Sequence, residues 1–287
     1  EANVQNIIKL SRKVDKNGWN LLHHAAKEGN VDLVDLLMAS DDTKIDTGNK
    51  KGSTPLMIAA FYNQSDVVDK LLAGGASIDQ ADRRGRTPLI IAAEKNHAEI
   101  TGQLLAKGAN VNAEVTTGQD QGYTPLMIAA KKGHAVVAEQ LLAKGADVNT
   151  ARTKNKKGGN GETALILAAA NGHEAVVGQL LVGGASIDQA DQEGITPLHL
   201  ASSIGHEAVV EQLLVGGASC SEKDNNGNVA LHHAAANGQE GAYSLLSKGG
   251  HEYTMNKRRN CPKKLIEAHR RKAAKKAEVV AKAGGIP

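Results

Sequence analysis

The histidines are the residues of this chain that could do metal or acid–base chemistry. There are eleven in 287 residues, and two pairs are adjacent, His23–His24 and His232–His233. An imidazole can serve as a general base or as a metal ligand, and two ligands on one helix need a spacing such as His-x-x-x-His. That spacing does not occur, and adjacent side chains point in different directions on a helix. We therefore predict no metal ligands.

Other chemistry-bearing residues recur too regularly, or stand too far apart, to form a catalytic site. Four aspartates occupy the same place in a repeated pattern: Asp15, Asp82, Asp191 and Asp224. Asp at such a position accepts hydrogen bonds from nearby backbone N–H groups in a turn. A catalytic residue would occur at one position and would not recur in every repeat. The motifs Gly-x-Ser-x-Gly, Gly-x-Gly-x-x-Gly and Gly-x-x-x-x-Gly-Lys are absent. We expect no catalytic residue, no cofactor and no enzyme activity.

A repeat of about 33 residues organises the chain. Its turn glycines are Gly18, Gly52, Gly85, Gly122, Gly161, Gly194 and Gly227, with spacings of 34, 33, 37, 39, 33 and 33 residues. Four copies keep Thr-Pro-Leu two residues later, at Thr54, Thr87, Thr124 and Thr196. Residues 74–82 and 183–191 are identical, which indicates internal duplication. A fixed period of this size is typical of a solenoid, a fold that usually provides an extended binding surface.

Each letter of the repeat has a physical role. Thr before Pro predicts a helix N-cap followed by proline at the first helical position. The alanine pair that follows, such as Ala59-Ala60, lets neighbouring helices approach closely. In the second helix Val67, Val68, Leu71 and Leu72 build one apolar stripe. Each repeat is therefore predicted as turn, helix, turn, helix, and stacking against the next repeat covers the stripe.

This pattern resembles the ankyrin repeat family, whose signature is Thr-Pro-Leu-His-x-Ala. The resemblance covers residues 15–255 and implies an all-α solenoid of about seven helix-turn-helix repeats with partial capping repeats at both ends. The predicted repeats are 15–48, 49–81, 82–119, 120–157, 158–190, 191–223 and 224–255. It also implies that His199 and its counterparts His23 and His232 hydrogen-bond between turns. A structural role is also expected for the histidines in the linker between helices, which are His97, His134, His173 and His206.

The ends and two insertions depart from the repeat. Residues 1–14 are predicted as an N-terminal capping helix, and residues 256–287 as a basic capping repeat or tail. Residues 113–121 carry about four extra residues and residues 150–161 about six. In the family such insertions extend the loop leading into the next turn. We interpret them as tolerated surface loops, the alternative being part of a binding face.

Composition limits the remaining possibilities. Aromatic residues make up 2% of the chain, so Ala, Leu, Val and Ile must form the core. Two isolated cysteines, Cys220 and Cys261, favour a reducing compartment over a disulfide framework. No apolar run approaches the roughly 20 residues of a transmembrane helix. We expect a cytoplasmic protein, with nuclear location or secretion into a host cell as alternatives. The chain begins with Glu1, which leaves open a trimmed, processed or partial protein.

The family resemblance implies a partner surface made of turn tips and the ends of the first helices. Aromatic and basic residues are concentrated there in the N-terminal half. The predicted partner-binding residues are Trp19, Lys51, Phe61, Tyr62, Arg83, Arg84, Arg86, Lys95, Tyr123, Lys131 and Lys132. Aromatic residues and arginine dominate interface energetics, so we expect an acidic and apolar protein or peptide partner and a monomeric chain. For Trp19 the alternative is that it covers the edge of the core.

The predicted function is a non-catalytic scaffold or adaptor. An inhibitory subunit or a host-directed bacterial effector would use the same surface, and a regulatory fragment of a larger enzyme is a further alternative. A different class is nucleic-acid or anionic-membrane binding through residues 257–282, which carry eleven Lys or Arg and two Glu. That basic tail comprises Lys257, Arg258, Arg259, Lys263, Lys264, Arg270, Arg271 and Lys272. A solvated capping helix is the competing interpretation of the same residues.

Overall fold

The computed structural model describes residues 13–40, 44–152, 161–251 and 254–283, which contain fifteen helices and no strand. They fall into two compact units, an N-terminal unit up to residue 147 and a C-terminal unit from residue 148. The N-terminal unit contains α1 (Leu21–Glu28), α2 (Val31–Met38), α3 (Pro55–Tyr62), α4 (Ser65–Ala73), α5 (Pro88–Lys95), α6 (Ala98–Ala106), α7 (Pro125–Lys132) and α8 (Ala135–Ala143). The C-terminal unit contains α9 (Ala164–Ala170), α10 (Glu174–Val182), α11 (Pro197–Ile204), α12 (Glu207–Val215), α13 (Ala230–Asn237), α14 (Glu240–Ser247) and α15 (Pro262–Ala283).

The first helix of a repeat begins where the sequence predicts. Thr54 Oγ1 accepts a hydrogen bond from Met57 N–H at 3.3 Å, and Thr87 and Thr124 cap α5 and α7 in the same way. Proline occupies the first position of each of these three helices, where its missing N–H has no partner to lose. The helices end in the left-handed conformation, at Asn63, Asn96 and Gly133.

Stacking of equivalent helices forms the core of each unit. In the N-terminal unit α3 packs against α1 and α5, and the second helices α4 and α6 pack side by side. Ala59 and Ala60 are 0% exposed, as are Val67, Val68 and Leu71 on α4. The predicted small-residue contact is therefore confirmed, and so is the apolar stripe for Val67, Val68 and Leu71, whereas Leu72 is half-buried. Each large buried side chain contributes about 1.5–3 kcal/mol of transfer free energy.

The first insertion lies within a turn, which corrects the expectation that it extends the loop before the turn. In a regular turn Asp82 N donates to Arg86 O, and Gly85 N donates to Asp82 O, three residues back. In the fourth repeat Val115 takes the place of Asp82, because Val115 N donates to Tyr123 O and Gly122 N donates to Val115 O. The extra residues thus follow the first residue of the turn and lengthen its tip.

The same pairing brackets the second insertion, where Arg152 N donates to Glu162 O and Gly161 N donates to Arg152 O. The intervening residues 153–160 lie outside the described residues. So do residues 1–12, which hold almost all of the predicted N-terminal capping helix. At the other end, residues 256–260 form a turn and α15 follows it. Arg259 occupies the glycine position of that turn with a φ of 59°.

Candidate functional site

The inner face of the N-terminal unit consists of its turn tips and the C-terminal ends of α1, α3, α5 and α7. Each regular turn is built by one side chain. Asp82 Oδ1 accepts hydrogen bonds from the N–H groups of Arg84 and Arg86, both at 2.9 Å. Asp15, Asp191 and Asp224 accept the equivalent pair of bonds in their own turns. The predicted structural role of these aspartates is confirmed.

Neighbouring turn tips are joined by backbone hydrogen bonds. Lys50 N donates to Asn17 O, Arg83 N donates to Lys51 O, and Thr117 N donates to Arg84 O, at 3.0 to 3.1 Å. These bonds fix the spacing of side chains from four successive repeats. The tips therefore present their side chains on an ordered framework.

The turn tips carry a group of cations. The side chains of Lys50, Lys51, Arg83 and Arg84 are exposed, and none of the four forms an ion pair with a residue of the described part of the chain. Their positive charge is therefore available to a partner. Lys51, Arg83 and Arg84 are thus surface side chains on this face, as predicted.

An exposed aromatic pair ends α3. Phe61 and Tyr62 are 37% and 41% exposed, and their ring centroids lie 5.0 Å apart in an edge-on arrangement. Lys95 Nζ lies 4.1 Å from the centroid of the Phe61 ring, and Lys27 Nζ lies 5.7 Å from that of Tyr62. These contacts favour the lysine positions by cation–π attraction. The pair thus forms an apolar patch with a cation on either side.

Arg86 differs from its exposed neighbours because its guanidinium is already engaged. Its Nε and Nη2 donate to Asp82 Oδ2 at 3.0 and 2.8 Å, and its Nη1 donates to Glu94 Oε2 at 3.3 Å. The Asp82 side chain is 1% exposed. Arg86 therefore holds the turn against the end of α5, and its charge is largely balanced within the repeat.

Tyr123 also differs from the expectation, since its residue is only 5% exposed. Lys131 Nζ lies 4.8 Å from the Tyr123 ring centroid and 3.4 Å from its hydroxyl oxygen. The ring thus lies beneath Lys131, and the expected exposed aromatic at this position is corrected. Lys131 and Lys132 themselves are exposed at the end of α7.

Trp19 is half-buried beside two histidines. Its ring centroid lies 5.9 Å from that of His23 and 5.3 Å from that of His24. His23 is 0% exposed, whereas His24 is exposed and its Nε2 lies 3.5 Å from Asp15 Oδ2. Part of the Trp19 ring is therefore exposed at the surface, and part is covered by the histidines of the first repeat.

The inner positions of the C-terminal unit are mostly uncharged and bonded to one another. Asn225 Nδ2 donates to Gln192 O at 2.9 Å, and Asn237 Nδ2 donates to Ser203 Oγ at 2.8 Å. Ile204, at the place that Tyr62 occupies in its own repeat, is 48% exposed. The inner positions are therefore basic and aromatic in the N-terminal unit and mostly neutral in the C-terminal unit, as the sequence indicates.

A cavity that the sequence did not predict lies between α13 and α15. Its volume is about 250 Å³, and its lining includes Asn228, His233, Asn256 and Arg258. His233 Nε2 lies 3.0 Å from Asp224 Oδ2, and Asp15 pairs with His24 at the same separation of nine residues. That recurring spacing is the signal in the sequence that could have located this pair.

The basic tail begins on a turn and continues along α15. Lys257, Arg258 and Arg259 are exposed in the turn, Lys263 is half-buried, and Lys264 is exposed. Arg270 forms two hydrogen bonds to Glu240 of α14, at 2.9 and 2.6 Å. The guanidinium lowers the pKa of the Glu240 carboxyl below its usual value. Arg271 and Lys272 are exposed beyond this contact.

A family model described as ankyrin repeats (3 copies) matches three stretches of the chain, residues 2–82, 70–152 and 165–257. The chain belongs to the ankyrin repeat family. The predicted resemblance and the all-α repeat fold are therefore confirmed. Ankyrin repeats are in general protein–protein interaction modules, and this fold is typically a non-catalytic scaffold.

Two solved ankyrin repeat domains resemble this chain. The ankyrin repeat domain of human ASB11 is 27% identical, with a TM-score of 0.67, and the match covers 79% of this chain and 98% of that one. The ankyrin repeat domain of Bcl-3, described as a unique member of the IkappaB family, is 27% identical with a TM-score of 0.70. That match covers 80% of this chain and 99% of the Bcl-3 domain.

The histidines of these ankyrin repeats hold successive repeats together. His199 Nε2 lies 3.1 Å from Asn228 O, and His23 and His232 make the same bond to Ser53 O and Asn260 O. For the linker histidines His97, His134 and His206, one ring nitrogen lies 2.8 to 3.3 Å from a carbonyl oxygen of the preceding repeat, at Ala60, Ala93 and Ala170 respectively. The structural roles of these histidines are confirmed.

The described residues show neither a metal site nor a membrane-spanning helix. No three His, Cys, Asp or Glu side chains among them are placed to hold one metal ion. Within the same residues, no helix combines the length and apolar character that crossing a membrane requires.

Proposed function

We propose that the inner face of the N-terminal unit binds a protein or peptide whose contact surface is acidic and apolar. The chain would act as a scaffold or adaptor without catalytic activity of its own. The observation that supports this most strongly is the exposed pair Phe61–Tyr62 in a chain with one Phe, one Trp and four Tyr. Buried rings contribute strongly to interface stability, and an ordinary solvated repeat surface has no need of them.

The charges around the pair define the chemistry of the partner. Lys95 and Lys27, the latter also paired with Glu28, flank the rings, and the exposed tips add Lys50, Arg83 and Arg84. An apolar side chain on the partner would pack against Phe61 and Tyr62, and carboxylates beside it would meet the cations. Complementary charge of this kind accelerates association and selects the partner.

Arg86 and Tyr123 have a different part in this proposal. Because Arg86 is bonded to Asp82 and Glu94, and Tyr123 lies under Lys131, both support the surface from within the repeat. We therefore assign direct contact to Phe61, Tyr62 and the exposed cations, and a supporting role to Arg86 and Tyr123.

An affinity capture from cell extract tests the proposal, with the full chain as bait. The test variant is Phe61→Ala with Tyr62→Ala. Its matched control is Ser203→Ala with Ile204→Ala, at the equivalent positions of the sixth repeat. We expect a protein that the wild type and the control retain and that the test variant loses.

Equal capture by both double variants would overturn the proposal. An inhibitory subunit would use the same face, so adding the wild-type chain to the captured partner would lower the activity of that partner. A scaffold would leave that activity unchanged.

A further inference from the structure

The last described helix, α15, carries Lys264, Arg271 and Lys275 on the side that faces away from the other helices of the C-terminal unit. Three residues mark the body side of α15, the side that packs against the other helices of the C-terminal unit. Ile266 is 1% exposed, His269 Nε2 lies 2.7 Å from Ala236 O of α13, and Arg270 bonds to Glu240 of α14. At 100° per residue these three residues occupy a sector of about 100°.

Three exposed cations occupy the opposite side. Lys264, Arg271 and Lys275 lie within about 40° of one another around the helix, centred about 170° from the body side. All three are exposed, as are Lys272, about 80° from the centre of this sector, and Lys276, about 120° from it. With a rise of about 1.5 Å per residue, the row from Lys264 to Lys275 extends over about 16 Å.

No described neighbour balances this row. Lys264, Arg271, Lys272 and Lys275 form no ion pair with a described residue, and Glu267, half-buried, is the only acidic residue between 262 and 277. Arg271 and Lys275, and likewise Lys272 and Lys276, repel each other at a spacing of four residues. A polyanion along the row would remove that repulsion.

The composition of the helix selects among polyanions. Between residues 270 and 277 the apolar side chains are alanines only, whereas helices that insert into a membrane surface carry large apolar residues such as Trp, Phe and Leu. No aromatic residue occurs between 254 and 277, and single-strand binding relies on bases stacked on aromatic rings. A regular phosphate backbone remains as the best complement.

We propose that the row Lys264, Arg271 and Lys275 of α15, together with the flanking Lys272, binds the phosphate backbone of duplex nucleic acid without reading its sequence. This surface is separate from the inner face of the N-terminal unit and independent of the partner proposed for it. Each lysine or arginine that neutralises a phosphate releases bound counterions, so the affinity falls with salt. Arg270, bonded to Glu240, keeps the helix in place and is not itself part of the row.

Fluorescence anisotropy of the full chain with a labelled 20-base-pair DNA duplex of scrambled sequence tests this proposal. For four phosphate contacts the slope of log K against log salt is about −3.6, so affinity falls about 150-fold between 50 and 200 mM NaCl. Arg271→Gln with Lys275→Gln removes two contacts, and the slope becomes about −1.8. Glutamine keeps the helix propensity high, and circular dichroism verifies that α15 is intact.

The matched control is Lys223→Gln with Lys248→Gln, two exposed lysines of the same unit outside α15. It has the same net charge as the test variant, and we expect it to keep the wild-type slope. Duplex RNA of the same length serves as a second phosphate source and should show a similar slope. Equal slopes for both double variants would overturn the proposal. So would tighter binding to a single strand, or binding only to vesicles containing phosphatidylserine.

Discussion

The Nε2 atom of His199 lies 3.1 Å from the carbonyl oxygen of Asn228, in the turn of the following repeat. The other ring nitrogen, Nδ1, faces the N–H of Thr196 at 3.1 Å and its hydroxyl at 2.7 Å. This arrangement requires a proton on Nε2, which donates, and none on Nδ1, which accepts. Burial, reinforced by the charge of His233, lowers the pKa of His199 to about 4.

The lowered pKa predicts that acid weakens the C-terminal unit. Between pH 6.5 and about 4 the unfolded chain protonates His199 and the folded chain does not. The free energy of unfolding therefore decreases as the pH is lowered through this range. The shift corresponds to about 3 kcal/mol, which is present above pH 6.5 and lost by about pH 4. Urea unfolding at pH 7, 5.5 and 4.5 measures this loss.

His199→Met is the matched variant, because Met57 and Met127 occupy the same helix position in other repeats, each 1% exposed. It removes the titrating group without removing the apolar volume. We expect its stability to depend less on pH than that of the wild type. Identical pH dependence in the two proteins would show that His199 is not the group responsible.

Two glycines of the C-terminal unit, Gly194 in a turn and Gly217 just after α12, predict a graded response to alanine. Gly194 and Gly217 both have positive φ, 76° and 92°. A Cβ at Gly194 would lie 3.0 Å from Asp224 Cα, whereas a Cβ at Gly217 would meet nothing within 4 Å. Both substitutions cost about 1–2 kcal/mol for the left-handed backbone, and only Gly194→Ala adds a steric cost.

Urea unfolding of the two alanine variants gives the comparison, and equal losses would show that the close approach at Gly194 is unimportant. Arg259→Gly is the reverse experiment, because Arg259 has a φ of 59° at a glycine position. Strain relief is offset by the greater freedom of glycine in the unfolded chain, so we expect a net change within about 1 kcal/mol.

The two neighbouring arginines of the third repeat should behave oppositely on substitution. Arg86→Gln removes the partner of the nearly buried Asp82 carboxylate, and we expect the N-terminal unit to lose about 1.5–3 kcal/mol. Arg84→Gln changes an exposed side chain and should alter stability by no more than about 0.5 kcal/mol. Thermal unfolding compares the two, and a larger loss for Arg84→Gln would contradict the assigned supporting role of Arg86.

The features that the sequence predicts well are local and recur in each repeat. Thr54 and Pro55 fix the start of a helix from neighbouring atoms alone, and Asp82 builds its turn within five residues. The exposure of Tyr123 could not be predicted in this way, because it depends on whether Lys131, eight residues later, lies over the ring.

Two other features depend on distances that a repeat pattern does not encode. The pairing of Arg86 with Glu94 follows from side-chain length and helix orientation. The direction of the cations on α15 follows from the burial of Ile266 and from the bond of Arg270 to Glu240 of α14. In each case the residue types were visible in the sequence, and the packing decided which of them remain available to a partner.

The most direct test of the proposed function is the dissociation constant of the captured partner for two double variants of the full chain. Phe61→Ala with Tyr62→Ala should weaken binding by about 30-fold or more, the loss expected when about 2 kcal/mol of hot-spot contact is removed. Ser203→Ala with Ile204→Ala should leave the constant within about twofold of the wild type. Equal dissociation constants for the wild type and the Phe61–Tyr62 variant would contradict a partner site on the inner face of the N-terminal unit.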